Sequence, residues 1–258
     1  MNTKIAGGFA AGFSYPFKAG HFLISHPRLI VYVLIPFLIN TIVFTGAVWF
    51  GLDFFDETVV AMIPQGDAWY WIILYYFLWI VAVLATVLLV FFSFAIVGNL
   101  VASPFNDLLS ERTEELITGR TNSEPFRFAL FIRESLHIVL DEALKMSAFL
   151  AGMLLLLLLN ILPGFGAALF TILSLLWTAT FLVVEYTGYV FSRKKKKFAD
   201  QRQFIRKHKA LSLGFGFGAL CLLAVPFLQF FTIPLSVVGA VHLMDDCSML
   251  AALPEKTE

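Results

Sequence analysis

The sequence predicts an all-α integral membrane protein, built from long apolar helices joined by short charged segments. Three observations carry that prediction. Of 258 residues, 59% are hydrophobic and only 14% charged, against about 25% charged in a soluble domain. The chain therefore lacks the polar surface needed to cover itself with water. Its apolar residues gather into four stretches free of Asp, Glu, Lys and Arg, at 29–52, 68–106, 146–184 and 210–244. Charge resumes abruptly at their ends, as where Asp107, Glu111, Arg112, Glu114 and Glu115 follow the second stretch.

The first stretch, "LIVYVLIPFLINTIVFTGAVWFGL", fits one spanning helix over 29–52, with Pro36 as a candidate kink, since a crossing needs roughly 20 apolar residues. The second fits a long span over 68–103, anchored at the interface by Trp69, Tyr70, Trp71, Tyr75 and Tyr76. The stretches at 146–184 and 210–244 are each interrupted, by "LPGFG" (162–166) and "VPFLQFFTIP" (225–234). Each divides into two arms at or below the usual crossing length. Short complete spans and re-entrant hairpins both fit, and both return the chain to the side it left. A re-entrant turn requires protein or water to satisfy its backbone.

Ser103-Pro104 has the chemistry of a helix start, Ser as N-cap and Pro at the first helical position. An amphipathic helix is expected from there, with Phe105, Leu108, Leu109 and Leu116 on one face and Gly119 as its C-cap. A second such helix is expected over 125–145, giving helical segments at about 104–145 and again at 191–209. No separate soluble domain is indicated, so 1–258 reads as a single membrane domain.

Lys and Arg set the orientation. The 53–67 loop carries Asp53, Asp56, Glu57 and Asp67 and no basic residue, whereas 193–209 ("RKKKKFADQRQFIRKHK") holds nine of the 18 Lys and Arg. The positive-inside bias places the acidic loop outside and the basic segments and both termini in the cytoplasm. The opening "MNTKIAGGFAAGFSYPF" has no small-residue cleavage site and is expected to be a retained interfacial segment, not a signal peptide.

The chemistry-bearing residues are few. Formal net charge is zero, so no bulk basic or acidic character points to nucleic acid. Cys221 and Cys247 form no disulfide framework or metal site, and the five histidines (21, 26, 137, 208, 242) include no pair at the spacing of a helical metal site. No acid–base pair lies within the apolar stretches, so no enzyme, metal or cofactor is indicated. "GFGFG" (214–218) reads as helix packing: Ala210, Gly214 and Gly218 form a small-residue series that permits close approach. The basic run 193–197 reads as an anchor to anionic lipid headgroups, with an anion-collecting pore mouth as the alternative. Glu185 is expected at the interface. Asn40, Asn99 and Asn160 are polar residues at depth: interhelical hydrogen bonding is the plain reading, and lining of a hydrated pore the functional one.

Several segments resemble one family. "ASPFNDLLSERTEELITG" (102–119) is similar to the signature that follows the second span in the bacterial CysZ sulfate permease family. "LIPFLIN" (34–40), "LPGFG", "EYTGYVF" (185–191) and "FGFGALCLLAVPFLQFFTIPLSVVGA" (215–240) resemble its other motifs in the same order. The resemblance implies two full membrane helices and two partly penetrating hairpins, assembly as a homo-oligomer, and sulfate uptake across the bacterial inner membrane for cysteine synthesis. It also implies an anion site at the start of the first span, where the family has Pro-Gly-Leu-Arg-Arg. Here "HPRLIV" (26–31) puts Arg28 at the Gly position and Ile30 and Val31 in place of the arginine pair. Gly188 and Val190 likewise replace an Asp and a Pro. The site residues implied are Arg28 with the backbone of Leu29 and Ile30, at a helix N-terminus that favours anions. Two functions remain: uptake of sulfate or a similar oxyanion, or a non-transport role in lipid organisation or scaffolding on the same fold.

Overall fold

The computed structural model describes residues 8–54, 69–119, 144–194, 196–247 and 249–252. Every regular element among them is helical: α1 (Phe9–Ser25), α2 (Pro27–Phe54), α3 (Trp69–Thr118), α4 (144–157) closed by a 3-10 turn (Leu158–Ile161), α5 (Gly166–Arg193), α6 (Phe198–Lys207), α7 (Lys209–Ala224), α8 (Gln229–Asp246) and α9 (Met249–Ala252). Four stretches are long and apolar enough to cross a membrane, Pro27–Gly51, Trp69–Leu88, Leu144–Ile161 and Gly166–Arg193. The protein is a membrane protein. The expected helix over 125–145 and the acidic 53–67 loop fall largely outside the described residues.

The chain divides into two compact units, Leu34–Ser103 and the combination of Met1–Val33 with Pro104–Glu258. In the first, α2 and α3 meet where the Asn40 amide donates to the Gly98 carbonyl at 3.4 Å. Their apolar side chains stay exposed, including Phe37, Trp49, Tyr76 and Leu84, as expected where lipid replaces water.

The second unit holds the core. Tyr15, Ala19 and Leu23, four apart on α1, are buried with Leu211, Phe215 and Ala219 of α7 and Val237, Val241 and Met244 of α8. The α1–α7 contact is backbone against backbone. A methyl at Gly12 would overlap the Leu211 carbonyl oxygen, one at Gly214 that of Phe9, and one at Gly218 that of Phe13. The small-residue series thus works through Gly214 and Gly218, while Ala210 is exposed and outside it. Residues from Phe9 onward form a helix with one face packed into this core, while Phe9, Phe17 and Ile24 stay exposed on the other. Its packing combines the close approach at Gly12 with the Tyr15, Ala19 and Leu23 stripe.

Both interrupted stretches are helix–turn–helix. The α4–α5 turn uses Gly164 at φ 86°, and the α7–α8 turn places Phe227 at φ 67°. In the first, the Trp177 indole donates to the Phe149 carbonyl at 3.2 Å, while Leu154, Leu155, Ile161 and Ile172 stay exposed. In the second, Leu211, Phe215, Ala219 and Leu222 of α7 and Val237, Val238 and Val241 of α8 are buried, while Leu223, Val225, Phe227 and Leu228 around the turn stay exposed.

One expectation is corrected. Ser103-Pro104 does not begin a new helix: α3 is continuous from Trp69 to Thr118, with Pro104 inside it. An internal proline removes one backbone hydrogen bond, but Leu109, Ser110 and Thr113 just beyond are fully buried, so tertiary packing holds the helix through the break. The expected cap at Gly119 is present, with φ 69° and its N–H donating to the Glu115 carbonyl at 2.9 Å.

Candidate functional site

The three residues implied as an anion contact sit where α1 gives way to α2. His26 ends α1, its N–H reaching the Phe22 and Leu23 carbonyls, and its own carbonyl accepts the Leu29 N–H at 2.9 Å. Leu29 is therefore engaged through its amide and buried through its side chain at 2% exposure. Ile30 is partly buried, and Arg28 is exposed with no hydrogen bond or ion pair among the described residues. Of the three, Arg28 is the group able to meet a solute.

Ionisable side chains also lie on α1 and α8. Lys18 and His21 are exposed on α1. The Phe22 ring lies between His26 (centroids 4.3 Å apart) and His242 (4.7 Å), and His242 lies within electrostatic reach of Asp246, His26 and Lys18. Asp246 accepts the Tyr15 hydroxyl at 2.6 Å. Burial, followed by that hydrogen bond, pushes the Tyr15 hydroxyl up, so it remains a donor.

Two of the three asparagines hold hydrogen bonds to backbone carbonyls. Asn40 spends its amide on Gly98 and keeps a buried carbonyl oxygen with no partner among the described residues. Asn160 is exposed and donates locally to the Leu157 carbonyl at 3.2 Å. Asn99 lies in α3, with its side chain outside the described residues.

A polar seam that the sequence reading missed joins α3 to the end of α5. Arg193 donates to Glu114 at 2.7 Å and to the Ser110 hydroxyl at 3.2 Å, and Lys194 pairs with the other Glu114 oxygen at 2.7 Å. These charges are largely enclosed, with side-chain exposures of 19% for Arg193, 12% for Lys194 and 14% for Glu114. The Asn106 amide reaches the Tyr189 hydroxyl at 3.4 Å, and Glu185 pairs with Lys145 at 3.4 Å. Burial raises the Asp107 carboxyl to about 6; Arg193 and Lys145 pull it down, and Glu111 adds to the rise. Glu111 is also raised, chiefly by burial. The acidic run after the second stretch and the basic run after α5 are thus partners, and the first two members of the basic run are not free. Each run was visible in the sequence, but their pairing across about 80 positions was not.

The Cys247 thiol and His208 Nδ1 stand 3.9 Å apart. Burial and the neighbouring Asp246 push the thiol up to about 11, and burial with Lys207 lowers His208. The thiol stays protonated at neutral pH, the opposite of an activated nucleophile.

Comparison with known proteins bears on the whole chain. The family model described as "Sulfate transporter CysZ/Etoposide-induced protein 2.4" matches residues 15–234. A curated relative from Pectobacterium atrosepticum, named Sulfate transporter CysZ, is 32% identical over 246 residues, covering 93% of this chain and 88% of the relative. The match takes in α1 through the start of α8, including the α1–α2 junction and the α3–α5 seam. The chain belongs to the sulfate transporter CysZ/etoposide-induced protein 2.4 family.

Proposed function

We propose that this protein is a permease of the bacterial inner membrane that takes up sulfate or a similar oxyanion, acting as a homo-oligomer with no catalytic step and no cofactor. The observation that carries the reading is the match, along nearly the whole chain, to a relative named for sulfate transport. Arg28 at the α1–α2 junction is the proposed anion contact, helped by the α2 dipole; the Leu29 N–H, given to the His26 carbonyl, is not part of it. Asn40, Asn99 and Asn160 are the proposed polar positions along the route.

The proposed topology has two full spans, at 29–52 and 68–103, and two hairpins that penetrate partway. The acidic loop lies outside, and the basic segments and both termini lie in the cytoplasm. The charge asymmetry of the loops supports the orientation. The reading of re-entry rests on length: the arms of the second hairpin are 16 and 18 residues, at or below the roughly 20 that a full crossing needs.

One observation favours the non-transport reading: Ile30 and Val31 stand where the family resemblance places two arginines. Sulfate titration of the purified protein separates the two. A charge-assisted hydrogen bond contributes about 1.5–3 kcal/mol, so Arg28→Ala is expected to weaken binding by about 10- to 100-fold. Arg28→Lys should cost less, because it keeps the charge and loses only the planar fork. Equal binding by parent and Arg28→Ala would remove the site, and no binding by the parent would favour the non-transport role.

A further inference from the structure

α6 carries a surface that the transport reading does not use. The helix is begun by Asp200, whose carboxylate accepts the Lys197 N–H at 3.1 Å, and ended by Arg206 and Lys207, cations that suit the negative end of the helix dipole. Its inner face is fixed to α5. The buried Gln201 amide donates to the Val184 carbonyl at 2.6 Å and to the Thr187 hydroxyl at 2.8 Å, and Phe204 packs against Phe191 with centroids 6.0 Å apart. Val184 and Thr187 precede the end of α5 at Arg193 by an axial rise of about 9–14 Å. So α6 does not project away from the apolar helices. It folds back along the last turns of α5 and then feeds directly into the apolar α7.

The outer face of α6 combines two features that rarely share a water-exposed helix. Phe198 is 62% exposed. Arg202 and Arg206, also exposed, follow it at four-residue intervals, so the three form one ridge. Lys197, Lys207 and Lys209 flank the ridge in exposed positions, and the only acid in the helix, Asp200, is committed to the N-terminal cap. An aromatic ring beside guanidiniums, on a helix packed against the last turns of the membrane-length α5, matches the boundary between acyl chains and anionic headgroups. Arg suits phosphate there because its planar fork donates two parallel hydrogen bonds.

We propose that the Phe198–Arg202–Arg206 ridge of α6 docks anionic phospholipid, the ring entering the acyl boundary and the guanidiniums binding headgroup phosphates. This places the lipid contact on α6, since Arg193 and Lys194, at the head of the basic run, are turned inward to Glu114. Gln203, exposed but set round the helix from the ridge, faces water.

The test uses the full chain with Cys221→Ser and Cys247→Ser, spin-labelled after Phe198→Cys or Gln203→Cys. The labelled protein is placed in nanodiscs of phosphatidylcholine alone or mixed with phosphatidylglycerol. In the mixed discs the label at 198 should be reached by oxygen and shielded from a water-soluble nickel reagent, and the label at 203 should show the reverse. Fluorescent phosphatidylglycerol displaced from the detergent-solubilised chain by unlabelled lipid gives the headgroup preference. Each cation near an anionic surface contributes about fivefold, so Arg202→Gln with Arg206→Gln should lower the preference for phosphatidylglycerol over phosphatidylcholine by about 30-fold. The paired Lys replacements should retain most of it. Because these side chains are exposed, an unchanged melting temperature separates loss of lipid from loss of fold. Three results would each overturn the proposal: equal nickel access at 198 and 203, shielding of 198 from both reagents (a protein, including a second copy, covering the ridge), or full phosphatidylglycerol preference in the Gln variant.

Discussion

Asp107→Asn provides a quantitative test of the α3–α5 seam. The Asp107 carboxyl is raised from 3.8 to about 6, so the folded protein holds its proton more tightly than the unfolded chain does. The stability that this group contributes is complete below about pH 4, falls as pH rises from there to about 6, and stays low above it. At about 1.4 kcal/mol for each pH unit, the ionised form costs the fold about 3 kcal/mol at pH 7.5. Asn matches the shape of the acid and cannot ionise. The variant is therefore expected to be about 3 kcal/mol more stable than the parent at pH 7.5 and equal to it near pH 4. For a chain of this size that difference is about 6–12 °C in melting temperature. Thermal unfolding in mild detergent at half-unit steps from pH 4 to 8 measures it. A shallower fall should persist in the variant, because burial raises Glu111 too. If Asp107→Asn is less stable than the parent at pH 7.5, or the gap does not close on acidification, the ionised Asp107–Arg193 interaction outweighs burial and the reasoning fails.

Gly12→Ala and Gly214→Ala each drive a methyl into a facing carbonyl and are expected to cost about 1–3 kcal/mol apiece. Gly46→Ala, with nothing within 4 Å of the added carbon, should leave melting unchanged or slightly raised; equal melting of all three would contradict the α1–α7 contact. For topology, a Cys at Ser192 should resist an impermeant reagent added outside intact cells, and outside labelling there would invert the proposed orientation. Phe165→Cys should also resist it if the first hairpin is re-entrant, whereas rapid labelling would show that Leu144–Ile161 and Gly166–Arg193 cross completely.

The apolar helices were legible in the sequence because lipid exposure demands long unbroken runs such as Trp69–Leu88. The hairpin turns were legible through "LPGFG" and the 225–234 interruption, and the Gly119 cap through the demand for positive φ. Three features resisted. α1 hides because its buried face mixes Gly12, Pro16 and Ala19 with Tyr15 and Leu23, small and proline positions that give a weak apolar signal. The continuity of α3 hides because local chemistry at Ser103-Pro104 favours a start, and only the burial of Leu109, Ser110 and Thr113 overrules it. The Arg193–Glu114 pair hides because residue spacing reports neighbours within a helix, not partners on another. At the anion site, Arg28 could be named from the sequence, but the engagement of the Leu29 amide by His26 required the structure.

The central claim is transport, and sulfate flux tests it most directly. Purified protein in liposomes should take up labelled sulfate faster than empty vesicles do, and Arg28→Ala should lose most of the excess. Uptake no faster than in empty vesicles, by protein that melts as a folded species, would contradict the account.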